Sequence, residues 1–364
     1  MVSRLNIADL SAIETRCGAW VAQCHSLLNV FQPYTDPLGN FRRNGKDSYC
    51  DFAVKVYPQY TYEKLFLDKE GVNGKAAKAE AKIKRQFGKI GVLSSIYRMG
   101  AGKWGEGKAH YTDHIAECPF ADAKRKRCEC PEIYDKIRTG LWGFAYGQGV
   151  DMEQKDAQLV TDVFRNSYPE ICHPKTGIWA QLENAIFEVL DPQRTRTIRY
   201  VGPNDCIKID RMNIDDRNPM LRIHLPSGRK LHYLDAHIRE SLMPWTRIDP
   251  ETGKEVPVYR PSLWYAHEDQ ITGVWGYTSA HGGKTFENIV QGIARDVLAS
   301  KLMAFEANDL PVIGHVHDEG ITMTLADPFS PGLHEMVEIM SQPEPWAPGL
   351  LLGADGFEGE FYHK

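Results

Sequence analysis

The stretch Asp9-Leu-Ser-Ala-Ile-Glu-Thr-Arg16 lies where a short apolar run gives way to a helical pattern. Leu5, Ile7 and Leu10 suit one short strand. From Ala12 to Phe31, residues Ile13, Cys17, Val21, Cys24 and Leu28 recur every three or four positions, as on the buried stripe of an amphipathic helix. Asp9 thus falls at a strand end, where a carboxylate is well placed to project into a cleft, and Glu14 and Arg16 fall on the first helical turns. Read alone, the stretch also suits plain helix capping, with Asp9 or Ser11 as N-cap and Glu14 complementing the helix dipole.

Two other stretches carry chemistry. Gly314-His-Val-His-Asp-Glu-Gly320 separates the apolar runs Val312–Val316 and Ile321–Leu325, the pattern of a tight hairpin. Adjacent carboxylates in such a turn repel each other unless a cation compensates. Mg²⁺ does so while leaving room for phosphates. An ordinary polar turn is the plainer alternative. The third stretch places Arg85, Lys89, Leu93 and Tyr97 four residues apart. Each step advances about 40° around a helix, so the four side chains form a slowly winding stripe. Two cations followed by an apolar and an aromatic side chain suit a nucleotide laid along the helix, with its phosphates at the cations. An amphipathic helix with exposed cations and a buried Tyr fits the same spacing.

The rest of the 364 residues frames these stretches. Hydrophobic residues make up 42% and charged residues 25%, enough for a substantial core in one large or two to three smaller domains. No apolar run nears the roughly 18 residues that span a bilayer. The N-terminus shows no basic-then-apolar leader. The eight cysteines have no disulfide-like rhythm, which points to a reducing compartment such as a cytoplasm. A net charge of −5 argues mildly against a nucleic-acid partner. The distribution argues otherwise: Lys75, Lys78, Lys82, Lys84, Arg85 and Lys89 form one basic run and Lys124 to Arg127 another. Either run equally suits a solvated face.

Periodicity predicts helices over Ser48–Val56, Lys75–Tyr97, Gln154–Tyr168, Ile178–Leu190 and Thr285–Ala307. Residues 206–234 read as β-rich, with a hairpin at Leu221–Leu234. Asp249–Pro261 reads as a loop from its Pro, Gly and charge content. Residues 108–148 read as a polar insert.

Taken in order, the three stretches resemble motifs A, B and C of the family A DNA polymerases, the family of bacterial polymerase I. Motif A, Asp-x-Ser-x-Ile-Glu-x-Arg, is matched at every fixed place by residues 9–16. Motif B, Arg-x3-Lys-x7-Tyr, is matched at Arg85, Lys89 and Tyr97, and motif C at His317, Asp318 and Glu319. Gln291 resembles the Gln that precedes motif C, and Glu287–Leu298 with the C-terminal stretch looks most like bacteriophage versions. The resemblance implies an α+β fold: a right-hand palm of antiparallel sheet and helices at 1–35 and 281–364, with mainly helical fingers at 36–280. It implies that Asp9 and Asp318 hold two Mg²⁺ ions, with Glu319 supporting them. Primer-template DNA and deoxynucleoside triphosphates are the implied partners. Lys89 and Arg85 would serve the triphosphate, Glu14 would exclude ribose, and Tyr97 and Leu93 would meet sugar and base. Gln291, His317 and Arg16 would complete the substrate contacts.

Departures qualify the match. Leu93 stands where the family has Phe or Tyr, Arg98 where it often has Gly, and Tyr49 where bacterial members have a triphosphate-contacting His. The thumb and 3′–5′ exonuclease precede motif A in the family, yet Asp9 is only the ninth residue. The expectation is therefore a split, phage-like polymerase whose thumb and exonuclease come from a separate chain. In the insert, Cys118, Cys128 and Cys130 with His114 offer a zinc-type donor set; plain thiols in a basic loop are the simpler alternative. Two rival readings remain. A single-subunit RNA polymerase shares palm and fingers, but Glu14 and the His-Asp-Glu of motif C speak against it. A catalytically idle DNA-binding remnant is disfavoured by the presence of both Asp9 and Asp318.

Overall fold

The computed structural model describes residues 3–108, 121–122, 127–128, 134–194, 198–214, 218–269 and 273–362. The expected α+β class is borne out: helices alternate with antiparallel sheets. The chain forms two compact units, one of residues 1–48 and 168–364, the other of 49–167. Residues 168–280, expected with the fingers, thus fold with the segments that carry Asp9 and Asp318. Packing explains this. The helix Ile178–Leu190 meets the long helix Gly282–Glu306, and a Cβ on Gly282 would collide with the Trp179 main chain.

The first unit holds a four-stranded sheet in the order Val312–Val316, Glu319–Leu325, Ser3–Leu10, Ala354–Gly359. The apolar stub at the N-terminus is therefore a central strand. Its side chains alternate between two faces. Ala8 pairs with Gly320 and Gly356 on one face, while Asp9 pairs with Glu319 and Asp355 on the other. The small row lets helices come close: a Cβ on Gly320 would lie 2.9 Å from Phe305, and one on Gly356 would lie 2.7 Å from Leu333. On the same helix-facing side, the buried Asn6 amide donates to the Thr322 and Thr324 hydroxyls at 3.3 and 3.0 Å.

A six-stranded antiparallel meander, Ile198–Val201 through Trp275–Ala280, completes this unit. Strand replaces most of the loop expected after Ile248. Asp249–Pro261 is not one loop: the turn is confined to 249–254, and Glu255–Glu268 is a strand paired with Lys230–Ile248. Of the three prolines that suggested a loop, Pro250 lies in the turn, while Pro257 and Pro261 sit in the strand. There the strand has a neighbour on one side only, because Trp275–Ala280 pairs just with Leu263–Glu268. An edge position tolerates the missing N–H.

The second unit is mainly helical. Its helix Ser48–Val56 matches the predicted span, as does Ile178–Leu190 of the first unit, and the helix predicted over Lys75–Tyr97 runs from Lys75 to Ser95. The predicted helix Ala12–Phe31 is interrupted. It stops at Ala22, where Gln23 adopts a left-handed φ of +52° and caps it, and it resumes as short turns over His25–Phe31. Part of the supposed insert belongs to the second unit: Gly140–Gly147 is a helix with Leu141, Trp142 and Ala145 buried. Among the described residues, no helix is long and apolar enough to cross a membrane.

Candidate active site

Three acidic side chains from three adjacent strands share one face of the sheet in the first unit. Strand register places Asp9 directly opposite Glu319 on one side and Asp355 on the other. Asp318 is next to this row. It is the second residue of a two-residue turn between Val316 and Glu319, and the Leu10 amide donates to its carbonyl at 3.2 Å. His317, the first turn residue, has a φ of +54°. Non-glycine residues avoid that region except where the surroundings enforce it.

Helix capping does not account for Asp9 or Ser11. The N-cap of the helix Ile13–Ala22 is Ala12, itself left-handed at φ +51°, and no side chain caps the end. Ser11 instead donates to Asp355 at 3.0 Å. Sequence reading missed Asp355, since no local pattern marks it; only strand pairing brings it beside Asp9.

The carboxylates differ in surroundings. Asp9 is exposed and Asp318 half-buried. Glu319 is buried, and its Oε1 has no hydrogen-bond partner among the described residues. Tyr362 donates to the Glu319 carboxylate, and that bond raises the phenol pKa. No three His, Cys, Asp or Glu side chains among the described residues gather closely enough to enclose a metal. The donor set nevertheless fits Mg²⁺, which characteristically takes one or two protein carboxylates and fills its remaining positions with water and phosphate oxygens. An unpartnered buried carboxylate oxygen beside them is the kind of group a cation satisfies.

Glu14 and Gln291 meet: the Gln291 amide donates to Glu14 Oε1 at 2.7 Å, joining the helix after Asp9 to the long helix before motif C. Arg16 points inward. It is 2% exposed, and its guanidinium donates to the carbonyls of Ser11, Leu351 and Asn44 at 2.7, 3.0 and 2.7 Å. It also lies over the Phe31 ring, and burial lowers its pKa to about 10. In the structure Arg16 ties the strand–helix junction to the segment leading into Asp355. Asn44, held by Arg16, donates in turn to the Ala354 carbonyl at 2.8 Å. Arg16→Met is therefore expected to cost about 2 kcal/mol of stability by orphaning buried carbonyls, with no rescue by Lys, which lacks the forked donor set. The urea midpoints of the three proteins measure this; equal midpoints would remove the bracing role.

The second unit carries the cationic stripe. At about 100° per residue, Lys75, Lys78, Lys82, Arg85 and Lys89 fall within an arc of about 80° on the helix Lys75–Ser95. Lys84 lies on the opposite side. It pairs with Glu80 at 2.8 Å and rests over the rings of Tyr57 and Tyr60. The basic run is thus a true stripe with one exception. The Arg85 guanidinium lies 5.1 Å over the Tyr49 ring, so the residue matched to a family His does adjoin Arg85. Leu93 continues the stripe, while Tyr97 lies just past the helix end, followed by Arg98 at φ +69°. The candidate zinc residues Cys118, Cys130 and His114 lie outside the described residues, as does the side chain of Cys128.

Comparison with known proteins bears on these motifs. No family model matches the chain. Over 146 residues it is 38% identical to a DNA polymerase of Bacillus phage SP02, a match covering 40% of this chain and 20% of that protein. The chain thus spans about a fifth of that relative's length. Among solved structures, the POL domain of Pol1 from M. smegmatis in complex with DNA primer-template and dNTP aligns over 98% of this chain and 39% of that one. The identity is 12% and the TM-score 0.42. The relationship to a DNA polymerase portion expected from the motifs is borne out by the phage relative.

Proposed function

We propose that this chain is the catalytic portion of a template-directed DNA polymerase of the family A type, adding deoxynucleotides to a primer 3′-hydroxyl. One observation carries the reading: strand register sets Asp9 beside Glu319, with Asp318 at the adjoining turn. The phage relative, itself named a DNA polymerase, supports it.

Asp9 and Asp318 are the residues that would hold Mg²⁺. Bound there, the metal supplies positive charge that favours an ionised primer hydroxyl and offsets charge on the phosphates. Glu319 supports the site from its buried position, with Tyr362 donating to its carboxylate. Arg85 and Lys89 bind the triphosphate through charge-assisted hydrogen bonds, holding it for in-line displacement of pyrophosphate. Glu14, steadied by Gln291, fills the space a ribose 2′-hydroxyl would need. Leu93 and Tyr97 take the sugar and base, and His317 contacts the primer end. Arg16 contributes as the brace of the strand–helix junction. A separate chain bearing a thumb and 3′–5′ exonuclease is the proposed partner, and a host cytoplasm the proposed setting.

The test is single-nucleotide insertion on a primer-template, at micromolar DNA and low salt so that a weak duplex grip does not limit binding. Template-dependent addition of the complementary deoxynucleotide is expected. Firm primer-template binding without any insertion in Mg²⁺ would instead establish the idle-remnant reading.

A further inference from the structure

The helix Tyr62–Glu70 ends at Gly71, with φ +89°, and the chain reverses through Gly74, at φ +94°, into the helix Lys75–Ser95. Positive φ at both positions is what glycine permits without strain. The reversal sets Lys69, from the end of the first helix, against the cationic stripe of the second. Lys69, Lys78, Lys82, Arg85 and Gln86 together line one pocket. The lining thus holds four cations and an amide donor, and no acid. Lys69 also pairs with Glu70 at 3.1 Å, and Arg85 rests on Tyr49. Lys78 and Lys82 form no ion pair among the described residues.

Like charges gathered on one wall raise the free energy of the empty pocket, and a compact polyanion relieves it. Lysine binds phosphate as a point charge and needs no fixed plane. Two features favour a short polyphosphate over a nucleic-acid strand. The pocket is an open recess lined only by successive helices of a single hairpin. The cationic surface also does not continue along the first helix, which carries Glu63, Asp68 and Glu70, with Lys64 held by Asp68 at 2.6 Å. Along the second helix the stripe passes from Lys78 and Lys82 to Arg85 and Lys89, at about 5 Å per turn.

We propose that this pocket is a capture site for the polyphosphate tail of the incoming nucleotide. Lys69, Lys78 and Lys82 attract and hold the tail before Arg85 and Lys89 engage it. The identity of the anion as a nucleotide rests on the polymerase reading; the affinity of the pocket for polyphosphate does not.

The experiment titrates inorganic tripolyphosphate into the full chain by calorimetry without added metal. Single-site binding is expected, with affinity falling about tenfold or more in the Lys78→Ala/Lys82→Ala double variant, and weakening with salt. Lys84→Ala, on the opposite helix face, should match the unaltered chain, and unchanged circular dichroism would show that the double variant folds. Equal tripolyphosphate affinity in the double variant and the unaltered chain would overturn the proposal. So would a single-stranded oligothymidylate binding these lysines more tightly than tripolyphosphate, which would make the pocket a strand contact. In insertion assays the double variant should raise the nucleotide KM about tenfold at constant kcat. Lysine-dependent tripolyphosphate binding by a chain that never inserts nucleotide would uphold the pocket and refute the polymerase reading. Insertion with an unchanged KM would do the reverse.

Discussion

Replacing Asp9 or Asp318 with Asn is expected to lower nucleotide insertion by about 10³-fold or more while leaving the thermal midpoint nearly unchanged. Each substitution removes one negative charge from the end of the sheet but keeps the side-chain volume. Asp9 is exposed on a central strand whose neighbours on both sides are acidic. Relief of repulsion in the acidic row should offset what the lost charge costs the folded state. Insertion in Mg²⁺ depends instead on carboxylate oxygens as hard ligands, and an amide is a far poorer one. The measurement is single-turnover insertion with saturating nucleotide, beside circular-dichroism melting. Insertion within tenfold of the unaltered chain in either variant would rule out the metal-holding role of that residue.

Substitution of Glu14 by Ala should shift the ratio of ribonucleotide to deoxynucleotide kcat/KM by about 10²-fold toward ribonucleotides. Glu14 projects from the first turn of the helix that follows Asp9, and the Gln291 amide fixes its carboxylate at 2.7 Å. A side chain held at both ends excludes a hydroxyl better than a free one, because yielding would break a hydrogen bond. Gln291→Ala should therefore shift the ratio in the same direction by a smaller factor, since Glu14 remains but can move. Deoxynucleotide insertion should change little in Glu14→Ala, as the residue is not among the proposed metal ligands. An unaltered ratio would end the steric role and bring back the RNA polymerase reading.

The alternation of the sheet explains why the site forms here. The strand Ser3–Leu10 must meet two helices on one face and carry acids on the other, and adjacent positions satisfy both needs. Ala8, Gly320 and Gly356 give the helices close approach, while Asp9, Glu319 and Asp355 are turned the other way. A one-residue slip in register would put the carboxylates against the helices. The present register also gives the buried Asn6 NH2 group its two acceptors, the Thr322 and Thr324 hydroxyls, on the helix-facing side.

Much of this was legible in the linear sequence. Local periodicity specified the helices Ser48–Val56 and Ile178–Leu190, the strand before Asp9 and the hairpin around Asp318, because each is decided by side-chain patterns within a few residues. Spacing alone also placed Arg85 and Lys89 on one helix face. Other features came only with the tertiary structure, and each has a non-local cause. The helix after Asp9 ends at Gln23 in a left-handed conformation with no glycine to announce it. Pro257 and Pro261 sit within a strand because the neighbouring strand stops short of them. Asp355 lies beside Asp9 through a pairing across more than three hundred residues of sequence. Arg16 reads like a ligand contact by position, but tertiary packing buries it against three carbonyls. Lys84 leaves the basic run because helical phase turns it toward Glu80 and two tyrosines, while the reversal at Gly71 and Gly74 brings Lys69 in. The sequence determined which chemical groups this protein carries and on which local elements they ride. Only the long-range pairing of strands and packing of helices decided which of those groups face one another, because such contacts arise from burial and register rather than from neighbouring residues.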